Sequence, residues 1–110
     1  ENVLLGAEGR PLLADFGCAA WLRDAKAMGG VAGTLGYAAP EIYLGVPYGE
    51  QVDVFGAGVV LYFALLARLP FAEGQSRETV AESTVQCCVR FPSCAALSTE
   101  AKQLVRSLLT

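Results

Sequence analysis

The sequence predicts an α+β chain that is mainly helical, with one β-hairpin at its start. Three observations carry that expectation. Two short apolar runs, Val3-Leu4-Leu5 and Leu12-Leu13-Ala14, are separated by Gly6-Ala7-Glu8-Gly9-Arg10-Pro11, the turn chemistry of a hairpin. The segment from Gly17 to Ala38 has glycines at 29, 30, 33 and 36 and no sustained periodicity, so it reads as one long loop. Beyond it, start and stop signals alternate as they do between helices.

Each helix has its own punctuation. Pro40 suits the first position of a short helix running to Leu44, and Gly45 can end it. Gln51 to Ala67 is apolar nearly all round, which predicts a helix buried on every side and ended by Pro70. Arg77 to Cys88 reads as a weaker helix with Val80, Thr84, Val85 and Cys88 on one side. After the break at Phe91-Pro92-Ser93, Ser98 caps a last helix, with Glu100 in its first turn favoured by the helix dipole. Ala101, Leu104, Val105, Leu108 and Leu109 form its apolar stripe.

Composition narrows the function. At 110 residues the chain has room for one domain with a modest core. Its residues are 54% hydrophobic and only 17% charged, a balance suggesting apolar faces that expect further partners. Eight basic residues scattered singly, at a net charge of −3, leave no footprint for nucleic acid and no basic run for a membrane surface. The apolar run from Val54 to Ala67 falls short of the roughly 18–20 residues a spanning helix needs. Cys18, Cys87, Cys88 and Cys94 make no CxxC pair, and there is no histidine, so a zinc site is not expected. Free, mostly buried thiols fit a reducing compartment, hence a cytoplasmic location.

The chemistry sits in short motifs that mean little singly. Asp15-Phe16-Gly17 follows the second apolar run directly, and Ala39-Pro40-Glu41 opens the short helix after the loop. That order and separation belong to the protein-kinase signature set. Gly33-Thr34-x-x-Tyr37 precedes the second motif, and Asp53-x-x-x-x-Gly58 lies on the apolar helix. With these the chain resembles the eukaryotic serine/threonine protein kinases over essentially all of its residues. Pro47-Tyr48-Gly49, Val52-Asp53, Leu61-Tyr62 and Pro70-Phe71 look most like the calcium/calmodulin-dependent group. The resemblance implies the two-lobe kinase fold, residues 1–110 being its large-lobe part from the end of the catalytic loop through the activation segment to the penultimate helices.

The resemblance also implies roles. Asp15 would be the carboxylate that holds Mg²⁺ against the phosphates of ATP, since a hard cation needs carboxylate oxygen. Asn2, in Glu1-Asn2-Val3-Leu4-Leu5, would give an amide oxygen to a second magnesium. Thr34 would contact the catalytic base in the segment that docks the acceptor peptide, arguing for serine/threonine specificity. Phe16 would pack to set the loop's state, and Gly17 would act as its hinge. Glu41 would form a buried ion pair with an arginine further along, and Asp53 would brace the catalytic loop. Read alone, Asp15 is also an ordinary turn aspartate, Asn2 a strand-entry cap, and Thr34 a solvated turn hydroxyl.

Much of the kinase signature is expected outside this stretch. The glycine-rich loop, the ATP-positioning lysine and the proton-accepting aspartate would precede Glu1, and the arginine for Glu41 would follow Thr110. The expected partners are ATP and a protein substrate, with room for a regulatory segment or protein beyond these residues. Phe55 stands where tryptophan is usual and Arg68 where glycine is common. Phe63 replaces an acidic residue that some basic-directed kinases use, so no basic preference is expected from that side. Between Gly17 and Gly33 there is no serine, threonine or tyrosine, so phosphorylation there is not expected to order the loop; Arg23, Asp24 or packing around Trp21 would do so. Two other readings stand beside the enzyme: a pseudokinase that binds partners without phosphoryl transfer, and a truncated product with no autonomous fold.

Overall fold

The computed structural model describes residues 2–24, 34–71, 75–93 and 95–110. Strand β1 (Val3–Leu5) and strand β2 (Pro11–Leu13) pair antiparallel, with Val3 opposite Leu13, Leu4 opposite Leu12 and Leu5 opposite Pro11. A 3₁₀ turn over Ala7–Gly9 joins them. The second strand thus begins at Pro11, one residue before the expected start. Proline is tolerated there because the first residue of a strand can lack a ladder N–H. Both faces of the hairpin are apolar, and every strand residue is exposed.

Four helices follow: α1 (Pro40–Leu44), α2 (Gln51–Leu66), α3 (Arg77–Gln86) and α4 (Thr99–Leu108). Helix α2 packs on α4, and α1 packs on α3. The main core joins Ala38, Ala39 and Ile42 around α1 to Phe55, Val59 and Tyr62 of α2, Phe71, and Val105 and Leu109 at α4. Phe55 and Phe71 stack at 5.9 Å, nearly parallel. The Tyr62 hydroxyl donates to the Arg90 carbonyl at 2.7 Å, satisfying a side chain that is otherwise fully buried. Phe91 sits between the Tyr62 ring and the Arg106 guanidinium, which lies 5.0 Å from its centroid.

Caps follow the sequence closely. Ser98 accepts from the Ala101 N–H at 3.1 Å, and Ser76 caps α3 in the same way through Thr79. Hydrogen bonding at these caps, first from each residue's own backbone and then from the capping serine, holds the carboxyls of Glu100 and Glu78 below the usual range. Gly45 closes α1, its N–H shared between the Glu41 and Ile42 carbonyls.

Four expectations change. Helix α2 buries only the Phe55, Gly58, Val59 and Tyr62 face, while Val54, Val60 and Phe63 stay exposed. One partner helix covers one side, so apolarity all round leaves a bare face here. The same helix ends at Leu66, with Ala67 in the left-handed region, before Pro70 is reached. On α3 the inward positions are Val80, Thr84 and the half-buried Cys87, whereas Val85 and Cys88 are exposed. Left-handed Cys87 turns the chain out of the helix and carries Cys88 away. Cys18 is exposed too, so the thiols are free but not mostly buried; Cys94 lies outside the described residues.

Candidate active site

The hairpin register does the positioning. Its ladder extends one step past the strands through a 2.9 Å bond from the Ala14 N–H to the Asn2 carbonyl. Asn2 therefore lies opposite Ala14, and Asp15 follows at once, placing both metal candidates at the open end of the hairpin. Asp15 has φ 61°, a left-handed conformation that aspartate tolerates better than most residues, and there the strand's alternation ends. The Gly17 N–H bonds to the Asp15 Oδ1 at 3.2 Å, a local turn that fixes the carboxylate beside its own backbone. Both Asn2 and Asp15 are exposed.

The residues after Asp15 do not pack as expected. Phe16 is 70% exposed and Trp21 85% exposed; turn bonds run from the Ala19 N–H to the Phe16 carbonyl and from the Asp24 N–H to the Trp21 carbonyl. Among the described residues no apolar element lies over either ring. Residues 25–33, including Gly33 of the docking motif, lie outside the described residues.

Thr34 opens a turn closed by the Tyr37 N–H donating to its carbonyl at 3.1 Å. Its side chain is exposed. Inside that turn Gly36 is buried at φ 88°, and its N–H donates to the Tyr43 hydroxyl at 3.0 Å. A Cβ on residue 36 would come within 2.8 Å of Leu69 Cδ1. The turn is thus bounded by the loop after α2 on one side and held by α1 on the other. Sequence reasoning missed Tyr43, and no signal marks it, because the bond joins an unremarkable helical tyrosine to a turn amide seven residues earlier.

Glu41 is half-buried in the first turn of α1 and has no ion-pair partner among the described residues, so the expected buried pair is not formed within them. Asp53 is exposed in the first turn of α2. The structure sets Asn2 and Asp15 at the same end of the hairpin, and among the described residues no hydrogen bond runs from either to Thr34. A depression of about 310 Å³ lies elsewhere, lined by Cys87, Val89, Arg106, Leu109 and Thr110, and none of the site candidates reaches it.

Asn2 and Asp15 thus offer one amide oxygen and one carboxylate, both on exposed residues at the same hairpin end, and oxygen donors are the type a hard cation takes. Among the described residues no cluster of three or more acidic, cysteine or histidine side chains could hold a metal by itself.

Comparison with known proteins agrees with the motifs. The family model described as protein kinase domain matches residues 1–110. The chain is 45% identical over 83 residues to serine/threonine-protein kinase PEPKR2 of Arabidopsis thaliana, covering 76% of this chain and 17% of that protein. It is 39% identical over 110 residues to human RAC-beta serine/threonine-protein kinase, covering 99% of the chain and 22% of that protein. It is also 35% identical over 114 residues to calcium/calmodulin-dependent protein kinase type II of Caenorhabditis elegans, covering 100% of the chain and 16% of that protein. The chain spans about a fifth of the length of the curated relatives it matches. The hairpin and four helices are those of part of a kinase fold, and this chain belongs to the protein kinase family.

Proposed function

We propose that these residues are the large-lobe portion of an ATP-dependent kinase that phosphorylates serine or threonine on protein substrates. The observation that supports this best is the hairpin register, which sets Asn2 opposite Ala14, the residue before Asp15, where β2 ends. In that reading the Asp15 carboxylate and the Asn2 amide oxygen hold magnesium with ATP. The ion supplies charge neutralisation on the phosphates during transfer. Asp15 keeps its carboxylate oriented through the Gly17 N–H, and the Thr34 turn presents the acceptor peptide. The proton-accepting aspartate and the ATP-positioning lysine come from residues outside 1–110.

Relatives named as serine/threonine kinases favour the enzyme over the binding-only alternative. Substrates are not selected for basic residues by Phe63, which is exposed on α2 and carries no charge. Free thiols fit a cytoplasmic setting. Among the described residues no helix is long and apolar enough to cross a membrane.

The test is Asp15→Asn in the complete kinase. Asparagine keeps the shape and removes the charge, so phosphoryl transfer should fall to background while folding, followed by circular dichroism, is unchanged. Near-normal turnover would remove Asp15 from the metal site.

A further inference from the structure

Tyr43 has a hydroxyl engaged away from the metal candidates Asn2 and Asp15. It stands on α1, partly buried against the core, and accepts a 3.0 Å hydrogen bond from the buried Gly36 N–H. Gly36 lies between Thr34 and Tyr37, whose backbone bond closes the turn. Its left-handed φ of 88° and the approach of Leu69 leave no space for a side chain. The amide is therefore fixed in direction, and among the described residues its acceptor is the Tyr43 hydroxyl. Upstream, the stretch between Gly17 and Gly33 carries no serine, threonine or tyrosine, so no phosphate can be attached there to order the segment.

We propose that Tyr43 is a positioning residue that holds the Thr34–Tyr37 turn in its peptide-docking form without any modification of the loop before it. This rests on the reading of Thr34 as part of the peptide-docking segment. The phenolic oxygen anchors the turn to α1, a regular helix that is itself packed on α3. Without that anchor the turn visits other conformations, and peptide binds only the fraction in which the turn is formed. ATP and magnesium, placed by the hairpin end, are untouched.

The experiment compares wild type and Tyr43→Phe in the complete kinase, with a peptide substrate and amide hydrogen exchange. Phenylalanine keeps the ring in the core, so the thermal midpoint stays close to that of wild type. Exchange of the Gly36 amide should speed up on the order of tenfold, the factor that one net hydrogen bond supplies. Peptide KM should rise by a similar factor of about ten, while kcat and the KM for ATP stay within about twofold. Unchanged exchange at Gly36 would overturn the anchor. Equal increases in both KM values, or a fall in kcat alone, would overturn the positioning role while leaving the kinase reading in place. A wild-type enzyme that transfers no phosphate would end the kinase reading itself, and the role of Tyr43 toward a peptide with it.

Discussion

Two glycines in α2, two residues apart, should respond to the same substitution in opposite directions. A Cβ at Gly58 would stand 2.8 Å from Leu108 Cβ and 2.9 Å from Leu109 Cδ2, closer than real side chains approach. Leu108 Cβ is attached directly to the α4 backbone and cannot rotate away, so α4 would have to shift, taking the fully buried Val105 and Leu109 with it. Overpacking of this kind costs about 1–3 kcal/mol. At Gly56 the nearest atom to a new Cβ is the Tyr37 carbonyl oxygen at 4.0 Å, an ordinary contact. Alanine in a helix interior gains roughly 0.5–1 kcal/mol over glycine at either position. That gain stands alone for Gly56→Ala, which should be stabilising. For Gly58→Ala the overlap outweighs it, leaving a net loss of up to about 2.5 kcal/mol. Because both sites lie within α2, the propensity gain cancels in the difference, which reads the α2–α4 contact alone at about 1–3 kcal/mol. Urea denaturation of the complete kinase domain measures both variants. Equal shifts would show that Gly58 is not where the two helices touch, and the account of the core would fail.

Further expectations concern strain, reactivity and control. Ala67 ends α2 at φ 53°, so Ala67→Gly should stabilise by roughly 1 kcal/mol, and a lowered thermal midpoint would contradict the cap geometry. Burial first, then the neighbouring Cys88 and Glu41, push the Cys87 thiol upward, so it stays neutral to higher pH. Iodoacetamide at mildly alkaline pH should therefore modify the exposed Cys18 and Cys88 well before Cys87; mass mapping that finds Cys87 labelled as fast would refute this. Phosphatase treatment should leave the rate of the complete kinase unchanged, since the stretch between Gly17 and Gly33 has no hydroxyl to modify, and a large loss of rate would be decisive against it.

The sequence by itself determined the element order and most boundaries. Hairpin, α1 and α4 were legible because their signals are local: a turn between apolar runs, Pro40 at a helix start, and Ser98 with Glu100 at another. It also determined the family, since motif order and spacing survive without any knowledge of contacts. What it left open depends on which surfaces meet. An apolar sequence cannot say how many partners a helix has, and α2 is covered on the one side where α4 lies. Periodicity on α3 placed Val80 and Thr84 correctly, yet the inward cysteine was decided by the left-handed turn at residue 87, a backbone event outside the helical repeat. The pairing of Asn2 with Ala14 needed the strand register, which a hairpin turn sets to the residue. The bond from the Gly36 N–H to the Tyr43 hydroxyl needed more: a buried amide takes whatever acceptor the fold brings to it, and only the packing of the turn against α1 brings this one.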